Sequence, residues 1–116
     1  MPFWKSLNSV SDVDEAIKRS SANPVLIFKH STRCALSSVA KRRLERSEVE
    51  GVSYYLLDVI KNREVSNSLA LSTGVRHESP QAFLYLKGDL LYNDSHLSIS
   101  TDDFVGLIPK SDGETI

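Results

Sequence analysis

The chain has 116 residues and a mass of 12.9 kDa, which fits a single domain large enough to fold without a metal or a disulfide. Its 14 Lys and Arg residues and 15 Asp and Glu residues give a formal charge of −1, which excludes the basic excess of non-specific nucleic-acid binding. The longest apolar run, at 82–86, is too short to span a membrane. A single cysteine and no export signal predict a cytoplasmic protein without nucleic-acid or membrane partners.

The first half of the chain alternates between helical and strand patterns. The first predicted helix has Ser11 and Asp14 as its capping box. Its apolar face is formed by Val10, Val13, Ala16 and Ile17. The continuous apolar run at 25–28 predicts a strand buried on both faces. After a polar turn, helical spacing resumes in Leu36, Val39, Ala40 and Leu44. A second strand is predicted over 52–58.

The second half predicts one helix, a hairpin and a last helix. Asn62 opens the third helix, and Gly74 ends it at a position that favours glycine. Strands at 82–86 and 90–92 flank a Lys-Gly-Asp turn. Thr101 caps the last helix, which Pro109 ends. The order α-β-α-β-α-β-β-α predicts an α/β sandwich with a parallel crossover and an antiparallel hairpin, formed by residues 1–109 and followed by a polar tail at 110–116.

Cys34 has the side chain best suited to covalent chemistry. We predict it in the first turn of a helix that directly follows a buried strand, where unpaired N–H groups and the helix dipole favour an anion. Helix N-termini and neighbouring cations lower the pKa of cysteine thiols, and Arg33, Lys29 and His30 precede this thiol in sequence. The alternative is that Cys34 is a small apolar residue of the core.

Ser37, Pro80 and two cations are further candidates for a site around Cys34. Ser37 lies one helical turn after Cys34, where it either donates a hydrogen bond to the thiolate or is an ordinary serine of a helix N-terminus. Pro80 begins a predicted interior strand, where its missing N–H requires a turn, an edge or a cis bond to Ser79. Arg33 and Lys29 either attract the carboxylates of a small acidic thiol or are solvated charges.

Two motifs resemble the monothiol bacilliredoxins of the thioredoxin superfamily: FKHSTRC at 28–34, followed by Ser37, and HESPQ at 77–81. The resemblance extends from Trp4 to the last predicted helix. One departure is that Ala35 stands where the family motif has a proline.

The resemblance implies a thioredoxin-like three-layer sandwich, with a mixed four-stranded sheet flanked by helices. It implies that Cys34 is the catalytic thiol and that Ser37 stands where dithiol relatives carry a resolving cysteine. It also implies that Pro80 is a cis-proline beside the thiol. Arg33, Ser79 and Pro80 are the expected substrate-binding residues, with backbone groups of Ser79 pairing with the substrate chain.

The implied function is a monothiol thiol–disulfide oxidoreductase that removes a low-molecular-weight thiol, bacillithiol, from protein mixed disulfides. Its partners would be S-thiolated client proteins, the small thiol as co-substrate and a reductase, with no tightly bound cofactor. Two alternatives stay open: a non-enzymatic binding module with an incidental thiol, and a redox sensor in which Cys34 is oxidised or S-thiolated. No metal site is predicted, since His30, His77 and His96 provide no second close ligand pair.

Overall fold

The structure, a computed structural model, describes residues 3–109. The strands are β1 (Lys5–Ser6), β2 (Val25–His30), β3 (Ser53–Asp58), β4 (Gln81–Leu86) and β5 (Asp89–Ser95). The helices are α1 (Val10–Arg19), α2 (Ala35–Arg46), α3 (Arg63–Thr73) and α4 (Thr101–Val105), with a 3₁₀ turn at His96–Ser98. The predicted polar tail, 110–116, lies outside the described residues.

The five strands form one mixed sheet in the order β1-β3-β2-β4-β5. β2 runs parallel to β3 and antiparallel to β4, so the last residues of β2 lie beside the first residues of β4. In this register Lys29 pairs with Gln81. All six residues of β2 are buried, because helices cover both faces of the sheet at its centre.

Two hydrophobic clusters fill the space on either side of the sheet. One joins α1 and α3 to the sheet, and the other joins α2 and α4 to the opposite face. This arrangement confirms the predicted α/β three-layer sandwich. The sheet has five strands instead of four, because the two-residue β1, which pairs with Tyr55 and Leu56, is too short to form an apolar pattern.

Two helix caps differ from their predicted positions. The oxygen of Ser9, and not that of Ser11, caps α1 by accepting a hydrogen bond from the amide of Asp12. Ser100 takes the place predicted for Thr101 and caps α4, which ends at Val105, before Pro109. In both segments two hydroxyl residues lie close together, so the sequence pattern fits either one.

The buried face of α2 also differs from the predicted one. Leu36 and Val39 are 43% and 36% exposed, whereas Ser37, Ala40 and Leu44 are buried. The buried residues follow a helical spacing that includes a serine, and apolar periodicity alone overlooks that position. The side chain of Ser37 is therefore directed into the protein directly after the cysteine turn.

We predict that Phe104→Ala destabilises the protein by about 3–5 kcal/mol, because Phe104 is the fully buried anchor of α4. Chemical denaturation measures the free energy of unfolding. The control is Val105→Ala at a neighbouring exposed position, which should change that free energy by less than about 0.5 kcal/mol. Equal effects of the two substitutions would show that α4 is not anchored to the sheet as described.

Candidate active site

Cys34 lies between the end of β2 and the first residue of α2. It is the N-cap of α2, one residue before the predicted first turn, and its backbone is extended (φ −113°, ψ 118°). Its carbonyl oxygen accepts hydrogen bonds from the amides of Ser37 and Ser38 at 3.1 and 3.3 Å. The side chain is partly exposed. A sulfur at this position therefore meets the positive end of the α2 dipole and is open to solvent.

The hydroxyl of Ser37 is buried and has two partners. It lies 2.7 Å from Nδ1 of His30 and accepts a hydrogen bond from the amide of Ser31 at 3.0 Å. A hydroxyl carries one proton, which a neutral His30 can accept at Nδ1. The structure thus directs this hydroxyl away from the predicted role of thiolate donor and into holding the turn that carries Cys34.

His30 is held in its neutral form. Burial lowers the pKa of its imidazole, and the charge of Lys41 lowers it further, against smaller opposing effects from Asp58 and Glu45. The ring also stacks on Phe28 with 5.8 Å between centroids. Nδ1 of the His30 ring is thereby engaged with Ser37.

The peptide bond between Ser79 and Pro80 is cis, as the resemblance implies. Because Gln81 pairs with Lys29, this bond lies at the same end of the sheet as the cysteine turn. Within residues 3–109, neither the amide nor the carbonyl of Ser79 has a backbone hydrogen-bond partner, and the buried Oγ of Ser79 has none either. The backbone amide and carbonyl of Ser79 are therefore unpaired within the described part of the chain.

A comparison with protein families matches residues 5–104 to the monothiol bacilliredoxin BrxC. The chain belongs to this family. Cys34 is its single cysteine, as a monothiol member requires. The bacilliredoxin family is one of thioredoxin-like thiol oxidoreductases, and the match spans the elements that carry both Cys34 and Pro80.

Solved structures similar to this bacilliredoxin share the thioredoxin fold. A candidate oxidoreductase described as having that fold aligns with a TM-score of 0.78 and 28% identity, over 90% of this chain and 93% of the other. A thioredoxin variant from Halobacterium salinarum aligns with a TM-score of 0.69 and 21% identity, over 92% and 89%. Fasciola hepatica thioredoxin aligns with a TM-score of 0.69 and 16% identity, over 89% and 95%. The predicted thioredoxin-like fold is confirmed.

The part of the bacilliredoxin chain that the structure describes, residues 3–109, contains neither a cluster of metal ligands nor a helix that could span a membrane. In this part of the chain no three His, Cys, Asp or Glu side chains come together as metal ligands. None of its helices combines the length and apolar composition needed to cross a bilayer.

The two cations expected near the thiol lie in different environments. Arg33 is exposed and directly precedes Cys34. Lys29 is fully buried on the opposite face of β2 from His30, so it does not lie on the approach to the thiol as the sequence suggests. Of this pair, only Arg33 can meet a solvent-borne substrate.

Lys29 takes part in a buried lysine cluster with Ser66 and His77. Its Nζ lies 3.2 Å from the carbonyl oxygen of Ser66 and 3.2 Å from Nδ1 of His77, and it lies over the ring of Phe83 at 5.5 Å. The hydroxyl of Ser66 is also 3.2 Å from Nδ1 of His77. Burial lowers the pKa of Lys29 to about 8. Burial also lowers the pKa of His77, followed by the charges of Lys29 and Arg63.

Sequence reasoning missed this cluster, although part of its signal is readable. Side chains alternate across a strand, so Lys29 falls on the same face as Val25 and Ile27, which belong to the core. The sequence does not identify the partners of His77. Those partners, Lys29 and Ser66, lie 48 and 11 residues away along the chain.

We predict that Ser37→Ala lowers the free energy of unfolding by about 1–3 kcal/mol, because it leaves the amide of Ser31 and Nδ1 of His30 without their buried partner. Urea denaturation measures the change. Ser38→Ala is the matched control on the same helix and should have an effect below about 0.5 kcal/mol. A stability of Ser37→Ala equal to that of the control would contradict the described hydrogen bonds.

We predict that Lys29→Met stabilises the protein near neutral pH, because methionine fills the site without burying an ammonium. Between about pH 8 and pH 10.5 the folded wild type has lost the Lys29 proton while the unfolded chain still holds it. Wild-type stability therefore rises with pH relative to the variant in this window, by on the order of 3 kcal/mol. Denaturation of both proteins across this range measures it, and a constant difference would contradict the lowered pKa.

Proposed function

We propose that the protein is a monothiol thiol–disulfide oxidoreductase that removes bacillithiol from mixed disulfides with client proteins. The observation that carries the proposal is a single, partly exposed thiol at the N-terminus of α2, at the same end of the sheet as the unpaired backbone groups of Ser79. Membership of the bacilliredoxin family supports the choice of bacillithiol as the small thiol.

In the proposed reaction, the Cys34 thiolate attacks the bacillithiol sulfur of the mixed disulfide. The bond between the two substrate sulfurs breaks, a bond forms between Cys34 and bacillithiol, and the client leaves as a thiolate that takes a proton from water. A second bacillithiol thiolate then attacks the adduct at the bacillithiol sulfur. It releases bacillithiol disulfide and regenerates the Cys34 thiolate, and a partner reductase completes the cycle.

The absence of a second cysteine decides which disulfides are substrates. Ser37 occupies the position of a resolving residue, but a hydroxyl cannot resolve a disulfide, and this one is buried against His30. An adduct between Cys34 and a client would therefore need an external thiol to release it. We infer that mixed disulfides with a small thiol are preferred over buried intramolecular disulfides.

Arg33, Ser79 and Pro80 are the proposed substrate-binding residues. The free amide and carbonyl of Ser79 suit an extended client chain that pairs as an additional strand. The exposed guanidinium of Arg33 suits a carboxylate of the small thiol. We infer a cytoplasmic location, because exchange with a free small thiol requires a reducing compartment.

We predict that Cys34→Ser reduces turnover of a bacillithiolated client protein to the rate measured without enzyme. Release of the client thiol measures turnover, and near-UV circular dichroism verifies that the variant is folded. In a single turnover of the wild type, mass spectrometry should detect bacillithiol, and not the client, on Cys34. A folded wild type without turnover would instead favour a binding module or a redox sensor.

A further inference from the structure

The buried lysine cluster defined by Lys29, Ser66 and His77 takes no part in the proposed thiol chemistry. Lys29 is 0% exposed and stands in the central strand, two residues after Ile27 of the core. Within residues 3–109 the close contacts between basic and acidic side chains join Lys41 to Glu45 and His96 to Glu78, both at partly exposed positions, so no carboxylate compensates the Lys29 ammonium. Its burial costs stability that an apolar side chain would not cost.

The cluster joins three elements at the end of the sheet that carries the thiol. Lys29 belongs to β2, Ser66 belongs to α3, and His77 belongs to the segment 75–80 between α3 and β4. The carbonyl of Ser66 lies within a helix and already accepts there, so Lys29 is not needed to satisfy it. The contact with Nδ1 of His77, which the hydroxyl of Ser66 also approaches at 3.2 Å, is the one that connects β2 to the segment 75–80.

Side chains hold the rest of the same segment. Nε2 of Gln81 donates to the carbonyl of Arg76 at 2.9 Å, and Oε1 of Gln81 accepts from the amide of Glu78 at 3.3 Å. Gln81 is the strand partner of Lys29, so both contacts start from the same level of the sheet. The segment that ends in Ser79 and Pro80 is therefore attached on either side of the His77 backbone and through the His77 ring.

We propose that Lys29 and His77 are positioning residues that fix the Ser79–Pro80 segment for binding of the client chain. The inference rests on the proposed function and deepens it, because Ser79 is the residue whose backbone groups would pair with the client. The ammonium of Lys29 donates to Nδ1 of His77, which requires the neutral ring and fixes its orientation. Neither residue contacts the reacting sulfur atoms.

The test uses two lysine substitutions and two histidine substitutions. Lys29→Met removes the donor, His77→Phe removes the acceptor, and His77→Asn keeps an acceptor near the position of Nδ1. Lys61→Met removes an exposed lysine at the same end of the sheet and serves as the charge-matched control. Because backbone pairing with Ser79 is a ground-state contact, Lys29→Met and His77→Phe should raise KM for a bacillithiolated client about tenfold with little change in kcat. His77→Asn and Lys61→Met should leave KM within about twofold.

Two readouts separate positioning from a loss of structure. Alkylation of Cys34 by iodoacetamide, which needs no client-binding segment, should proceed at the wild-type rate in all four variants. Amide hydrogen exchange in 76–79 should be faster in Lys29→Met and His77→Phe than in wild type, and unchanged in α2. If Lys29→Met does not fold, the contrast between His77→Phe and His77→Asn decides the proposal.

Two results would contradict the positioning role of Lys29 and His77. Wild-type KM and wild-type exchange in Lys29→Met or in His77→Phe would overturn the positioning role. Equal losses in His77→Asn and His77→Phe would also overturn it, because they would show that the ring's packing matters and its acceptor does not. A wild type without turnover would overturn the proposed function alone, since hydrogen exchange still measures whether Lys29 holds the segment.

Discussion

The arrangement of the segments at the thiol end of the sheet rests on two adjacent polar residues, Lys29 and His30, that the central strand buries on opposite faces. Lys29 reaches His77 on one side of the sheet, and His30 reaches Ser37 on the other. Burying either side chain without a hydrogen-bond partner would cost stability. Lys29 therefore pairs with a histidine in a loop, and His30 pairs with a serine in a helix. β2 is thereby connected to the first turn of α2 and to the segment 75–80, which lie at the same end of the sheet, one through each face.

This arrangement explains how a small α/β domain can present one thiol in a defined setting. A hydrogen bond to the buried hydroxyl of Ser37 fixes the turn before α2, and contacts of His77 and Gln81 fix the segment that leads to Ser79 and Pro80. A reaction that transfers a disulfide needs the three sulfur atoms in line and little else from the protein. In the proposed reaction, fixed segments at the thiol end of the sheet would favour that alignment, because no loop would have to be ordered when a client binds.

Apolar patterns predicted the buried strands, the order of the long elements and the turn that carries Cys34, since these depend on local periodicity. They could not predict β1, whose two residues are strand only because β3 lies beside them. Lys29 was assigned to the thiol because it is near Cys34 in sequence, whereas the alternation of a strand sends it to the other face. Its partner His77 is 48 residues away, and only tertiary packing brings the two together.

The contacts of Ser37 also decide what a second thiol at this position would do to the turn that carries Cys34. Here that thiol would replace a hydroxyl that binds both His30 and the amide of Ser31, and sulfur is larger and a weaker acceptor than oxygen. A Ser37→Cys substitution would therefore loosen the turn that presents Cys34, so a second thiol here would come at the expense of the order around the first.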